Sequence, residues 1–402
     1  MRIKIGKKQL AILLIVVMLL YKPTTLGSVL TPIAMASSML LLLLYGKKRG
    51  SFKYPMTRVG KKIIFPIYLY YIYCFFQEYV MSGVLNYNIL KGGISILIFV
   101  ITVSVFMADE PIRFDFVKGF IRLLEFWVIS YIISLPLFFI TSNVYELEVL
   151  GIDIPVYGYH LAFYFPFTPA TGRLTLFGIQ FLRLASLFRE CGIAQLFYIW
   201  AFEECHYYFN KVKTHRTILL LGVVFCFSTA GYVCLIAYLV TDMVLNSTRK
   251  KNKKEFKRSI GIIVLCVAIV IAFMTVPGIK LEDKNKVSYN ARITSLGNAM
   301  EAMKENPLFG TGEFFIESTG NSLLQSVYKV GLIGIGLYYA IFVDALRYSR
   351  NKKRFILANI ASVLTLSLSQ PIFDAPLIFL LVIIPYEGEK QMIECKGEKI
   401  IT

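Results

Sequence analysis

A chain of 402 residues that is 56% hydrophobic and only 17% charged, with a mean hydropathy of +0.64, is too apolar to be a soluble domain. Its net charge of +18 would suit nucleic acid, but the lysines and arginines sit in alternate loops between apolar runs, which excludes a nucleic-acid face and predicts a polytopic membrane protein. The seven cysteines (Cys74, Cys191, Cys205, Cys226, Cys234, Cys266 and Cys395) show no metal-ligand spacing and the three histidines (His160, His206 and His215) are scattered, so neither a metal centre nor a disulfide framework is expected.

Crossing a hydrocarbon core of about 30 Å takes about 20 helical residues. In chain order the apolar runs predict twelve spans, at 9–21, 25–45, 62–80, 89–107, 118–141, 191–209, 217–229, 231–247, 259–277, 322–346, 355–370 and 372–386. Met1–Lys8 and the run after it resemble a signal peptide, but no small-residue cleavage site follows, so a first span is expected. The seventh and eighth are short enough to form a broken or re-entrant hairpin. The expected fold is all-α: a single transmembrane domain over 1–402, with two long extracytoplasmic loops containing interfacial helices at 141–190 and 277–321. Within the fifth span, Arg122 and Glu125 are spaced i, i+3, as in a helix pair.

Orientation follows from charge. Arg2, Lys4, Lys7 and Lys8 precede the first span, Lys47, Lys48, Arg49, Lys53, Arg58, Lys61 and Lys62 follow the second, and "STRKKNKKEFKR" and "RYSRNKKR" fill later loops on the same side. Such clusters mark the cytoplasmic side and contact anionic lipid. Both termini are therefore expected in the cytoplasm and both long loops outside.

The first long loop is aromatic, with Phe163, Tyr164, Phe165 and Phe167 expected at the lipid headgroups. It carries Arg173, Arg183 and Arg189, the last followed by Glu190. A helix over Phe181–Glu190 would turn Leu182, Leu184, Ala185 and Phe188 to lipid or core, and would keep Arg183 and Arg189, six residues apart, off a common face. In the second loop, Ile293, Leu296, Met300 and Met303 make an amphipathic stripe suited to an interfacial helix, with Asn290 as N-cap and Arg292 in its first turn. Pro307 ends that helix, and Gly310 and Gly312 of "ENPLFGTGEFF" bend the chain back toward the tenth span. The outer arginines have a plain reading, snorkelling or pairing with Glu190 or Glu301, and a functional one, the bidentate capture of a diphosphate.

The series Arg292, amphipathic helix, "NPLFGTG", a polar segment ending at Asn321 and "VYKVGLIGIGLYY" resembles the C-terminal signature of the O-antigen polymerase/ligase superfamily. "RLASLFRECGIAQLFYIW" resembles that superfamily's arginine-bearing outer loop, and "CFSTAGYVCLIAYLV" its short seryl hairpin. Two departures stand out: Gly320 occupies the position before Asn321 where ligases tend to carry histidine, and "FREC" lacks the proline that relatives often have after the glutamate. The first favours a Wzy-type polymerase over a ligase. The resemblance implies an enzyme of the bacterial cytoplasmic membrane that moves a growing glycan from undecaprenyl diphosphate onto a lipid-linked repeat unit, without metal or nucleotide cofactor. Partners implied are the lipid-linked oligosaccharide, the bilayer, and possible chain-length regulator and flippase proteins.

Displacing a diphosphate from an anomeric carbon builds charge on the leaving oxygens, and one preorganised donor typically lowers such a barrier by about 3–4 kcal/mol. Arg183, Arg189 and Arg292 are the candidate donors and Glu190 a candidate base, with Glu313 and Glu317 as alternatives. Asn321, Gly310, Thr311 and Gly312 are the candidate substrate-binding positions. The Pro–Gly turn is expected to fix the interfacial helix against the tenth span, and to offer the Thr311 or Gly312 N–H groups to the same anion. Rival expectations are a ligase of the same superfamily and a glycan flippase. A flippase predicts pseudo-symmetric halves, and no internal repeat is evident.

Overall fold

The structure is a computed structural model that describes residues 6–154, 159–246, 260–268, 279–280, 304–312, 322–368 and 375–384. Its helices are α1 (Lys7–Leu19), α2 (Gly27–Arg49), α3 (Arg58–Ser82), α4 (Tyr87–Ala108), α5 (Glu110–Phe138), α6 (Cys191–Tyr208), α7 (Val212–Phe225), α8 (Thr229–Asn246), α9 (260–268), α10 (Ser322–Tyr348), α11 (Lys352–Leu368) and α12 (Ile378–Ile383). Each of the twelve predicted spans contains helix where it is described. Five helices, α2 to α5 and α10, are long and apolar enough to cross a membrane.

Local chemistry sets several ends. The Thr57 hydroxyl accepts from the Gly60 N–H at 3.1 Å and the Asn86 carboxamide from the Asn88 N–H at 3.0 Å, satisfying first-turn donors of α3 and α4. α6 lies at the centre of the bundle: sixteen of its 18 residues are buried, and it is apolar nearly all round, as a helix enclosed on every side must be.

The first long loop corrects the all-α expectation. It holds a short 3-10 turn and an antiparallel sheet of β1 (Glu148–Ile154), β2 (Tyr159–Tyr164), β3 (Thr168–Leu176) and β4 (Ile179–Leu184), in the order β1-β2-β3-β4. Arg183 therefore lies on a strand, and the expected helix over Phe181–Glu190 does not form. The physical reason is the period. In "LTLFGIQFLRL" apolar residues alternate with others, placing Leu174, Leu182 and Leu184 inside. Phe177 (φ 50°) and Gly178 (φ 84°) then close a two-residue hairpin whose left-handed geometry matches strand twist. The loop aromatics divide: Tyr164 is buried, while Phe165 and Phe167 stay exposed.

The sheet sits on the last turns of α5, where the Tyr131 hydroxyl donates to the Leu182 carbonyl at 2.7 Å and Ser130 and Thr168 share a hydrogen bond of 2.9 Å. A two-residue strand, β5 (Ile279–Lys280), pairs with Thr175 and Leu176 of β3 and so joins the second long loop to the first. Arg122 and Glu125, expected to pair along the helix or to snorkel, stay within electrostatic reach of each other, but each makes its nearest contact elsewhere. Glu125 reaches across to His215 Nδ1 of α7 at 2.6 Å, and Arg122 lies over the Phe209 ring. At the same level of the bundle, Arg354 of α11 forms a bidentate ion pair with Glu204 of α6, and both are buried. Among the described residues the six cysteines are buried and free.

Candidate functional site

The segment "NPLFGTG" is more than a connector: Asn306–Phe309 are exposed, but its glycine end is buried and fills a gap in α10. That helix is broken at Gly331, where φ is 65° and ψ is −177°, a conformation essentially closed to residues with a side chain. A broken helix leaves carbonyls and N–H groups without their intrahelical partners, each costing several kcal/mol if left bare in lipid. Here the turn supplies them. Thr311 N–H donates to the Tyr328 carbonyl at 2.8 Å and Gly312 N–H to the Lys329 carbonyl at 3.0 Å. In return the N–H groups of Leu332 and Ile333 donate to the carbonyls of Pro307 (3.0 Å) and Leu308 (3.2 Å).

α3 closes the gap from the side. The buried Gln77 carboxamide donates to both Phe309 (2.5 Å) and Lys329 (2.8 Å), one carbonyl on each side of the junction, and the Tyr73 hydroxyl donates to Val330 at 2.8 Å. Gly310 (φ 68°) and Gly312 (φ 78°) take the left-handed conformations expected of them. Contact is close enough to exclude side chains. A Cβ on Gly310 would stand 2.6 Å from the Tyr328 oxygen, and one on Gly312 2.7 Å from Met81 Cβ. Two readings from sequence meet different outcomes here. The turn itself is fixed against the tenth helix, while the interfacial helix that it was expected to hold there lies outside the described residues. The Thr311 and Gly312 N–H groups, in contrast, donate to carbonyls of that helix rather than to an anion, and the Thr311 hydroxyl also donates to Tyr328, at 3.1 Å. Gln77 and Tyr73 escaped sequence reasoning. The one available signal was the polar pair Gln77–Glu78 inside the apolar run "YCFFQEYV".

A second piece forms at the α7–α8 turn. Cys226–Ser228 connects the two helices as a tight hairpin with Phe227 at φ 46°. Arg183 on β4 donates to the Phe227 carbonyl at 3.1 Å, and Gln195 of α6 donates to Val223 at 2.8 Å. One arm of the Arg183 guanidinium is thus spent on the hairpin, and its Nε is buried without a hydrogen-bond partner among the described residues.

Arg189 and Glu190 stand at the start of α6, where Glu190 is the N-cap residue. The Arg189 N–H donates to the Pro23 carbonyl at 3.0 Å and the Thr25 N–H to Leu187 at 3.0 Å, so this corner is tied to the α1–α2 connection. Both side chains are half-buried. The positive N-terminus of a fully enclosed helix, with an arginine beside it, suits an anionic group. Arg173 lies elsewhere on the sheet, over the Tyr145 ring at 5.3 Å. Arg183 and Arg189 are attached to different neighbours, by strand and loop; the helical spacing argument does not apply, because the helix does not form. Arg292, Asn321, Glu313 and Glu317, the interfacial helix begun at Asn290, and Gly320 lie outside the described residues. Among the described residues, no three His, Cys, Asp or Glu side chains gather in a way that could hold a metal ion.

Comparison with known proteins supplies one match. No curated protein and no solved structure matches the chain. Residues 217–330, however, match the family described as O-Antigen ligase. The matched segment opens inside α7, contains the hairpin that Arg183 holds and the turn that Gln77 holds, and stops at Val330, one residue before the break in α10. Over residues 217–330 the chain is thus similar to the O-antigen ligase family, which supports the resemblance to the O-antigen polymerase/ligase superfamily.

Proposed function

We propose that this protein is a polymerase of surface-polysaccharide repeat units, acting at the outer face of the bacterial cytoplasmic membrane. The observation that carries the reading is the docking of "NPLFGTG", which lies within the matched segment, into the break of α10 at the end of that segment. A membrane protein invests in irregular backbone at membrane depth where it lines a site, and rarely elsewhere. In this scheme a hydroxyl of the incoming lipid-linked repeat unit attacks the anomeric carbon of the growing glycan. The bond from that carbon to the diphosphate oxygen breaks, the hydroxyl proton passes to a carboxylate such as Glu190, and undecaprenyl diphosphate leaves. Arg189 and Arg292 face the charge that develops on the leaving group, and Asn321 holds a diphosphate or sugar oxygen. Arg183 acts by holding the α7–α8 hairpin, and Gly310 and Gly312 by letting the turn seat. No metal ion takes part.

Gly320, in place of a histidine, favours polymerase over ligase. The test is to supply purified protein with lipid-linked repeat units alone. A ladder of longer lipid-linked glycans supports the proposal. No ladder until a chemically distinct acceptor is added would establish the ligase reading instead.

A further inference from the structure

The end of the bundle opposite the β-sheet holds a cavity of about 520 Å³, lined by Lys7 at the start of α1, Tyr45, Lys48 and Arg49 at the end of α2, Pro55 of the following loop, and Asp109 at the junction of α4 and α5. Its position in depth is fixed by α5. That helix begins beside Asp109 and ends under the sheet, and its 29 residues span about 43 Å at 1.5 Å each. This equals the thickness of a bilayer with its headgroups, about 40–45 Å. The cavity therefore lies in the headgroup layer on the side away from the sheet.

Its chemistry is that of a phosphate receptor. Asp109 accepts from Lys7 Nζ and from the Tyr45 hydroxyl, each at 3.1 Å, which organises one wall. Arg49 lies over the Tyr45 ring at 5.7 Å. Lys7, Lys48 and Arg49 converge with Asp109 around a space far larger than a phosphate ion needs. Toward the bilayer, Ile12 and Val16 of α1 and Leu40 and Leu43 of α2 are exposed apolar side chains on the two helices that frame the cavity. We infer that this cavity binds the phosphate headgroup of an anionic phospholipid, with acyl chains lying along the exposed faces of α1 and α2. A free phosphate shares the charge chemistry but makes no use of the apolar faces or of the volume.

The site is remote from the transfer chemistry and does not depend on it. The test uses the whole purified chain in a neutral detergent, titrated with short-chain phosphatidylglycerol, phosphatidylcholine of the same chain length, or inorganic phosphate, with thermal unfolding as readout. Phosphatidylglycerol is expected to raise the midpoint and the other two are not. The double variant K48Q/R49Q is expected to bind phosphatidylglycerol about 25-fold more weakly, each cation contributing about fivefold at an anionic surface. Lys53→Gln with Lys61→Gln, an equal loss of charge outside the cavity, is expected to bind as wild type does. Equal weakening in both double variants, equal binding of phosphatidylcholine, or equal binding of inorganic phosphate would each overturn the assignment. A photoreactive phosphatidylglycerol on the unaltered chain gives an answer independent of variant folding. Cross-links on residues 45–55 support the site, and cross-links confined elsewhere refute it.

Discussion

Replacing Gly331 by alanine strikes the junction at its tightest point. A Cβ there would stand 2.2 Å from the Leu308 oxygen and 2.5 Å from the Leu308 carbon, where ordinary contact begins at 3.4 Å. The shortfall of about 1.2 Å falls on backbone atoms, which no rotamer change can clear. In addition, the φ of 65° with ψ of −177° costs about 1–3 kcal/mol for any residue but glycine. The 307–312 turn must therefore move outward by about an ångström or α10 must straighten, and either releases the bonds from Thr311, Gly312, Leu332 and Ile333. Misplacement on that scale costs on the order of 10²-fold in rate where orientation matters. The assay is ladder formation from lipid-linked repeat units by purified protein, at matched membrane levels, beside hydrogen exchange at those four amides. Gly331→Ala is expected to insert normally, lose about 10²-fold in turnover and expose the four amides. Wild-type turnover with wild-type amide protection would refute the idea that the break positions the site.

Gly312→Val should act like Gly331→Ala, since its Cβ meets Met81 at 2.7 Å, while Gln77→Leu should lower the thermal midpoint because the partly buried carbonyls of Phe309 and Lys329 lose a donor, at up to about 1–3 kcal/mol per bare group. Arg189→Ala and Arg292→Ala should abolish polymerisation with protein levels kept, and Arg189→Lys should rescue poorly, an ammonium being no substitute for a planar fork; Arg173→Ala, over Tyr145, should retain most activity, and equal loss in all three would sink the division of roles. Arg354→Met should unfold the protein at a lower temperature, leaving buried Glu204 unpaired at about 3–5 kcal/mol, whereas Arg354→Met with Glu204→Leu should recover most of it; an unchanged midpoint in the single variant would show the pair to be dispensable. A cysteine at Phe177, on the exposed hairpin tip, should react with an impermeant reagent in intact cells and one at Lys53 should not, and the reverse would invert the orientation on which the outer site depends.

The helices were legible because each apolar run is longer than any strand and is bounded by charge, glycine or an N-cap such as Thr57 or Asn86. The left-handed glycines at 310 and 312 were legible as well, because Pro307 forbids the helix to continue through them. The sheet was missed for a definite reason. The apolar residues of "FLRLASLFRE" also fit a helical period of 3.6, which masks the hairpin signal of Phe177–Gly178 between alternating runs. The break in α10 had no local signal. Glycine is common in membrane helices, and "VYKVGLIGIGLYY" reads as one uninterrupted span. Part of what satisfies the broken backbone is the amide of Gln77, 252 residues away from Lys329 in the chain, and no window on the sequence contains both.

That separation dictates an order of assembly. Until the 306–312 turn has docked, α10 can meet its own hydrogen-bonding needs in lipid only as an unbroken helix, because bare carbonyls at residues 328–330 are too costly there. It must therefore leave the insertion machinery straight and open at Gly331 afterwards, in the same step in which the turn and the side chains of Gln77 and Tyr73 close on it. α3 has to be waiting in the bundle by then. The backbone around Lys329 is thus completed on a helix laid down 252 residues earlier, and a nascent protein has no seated turn until residue 333 has been made.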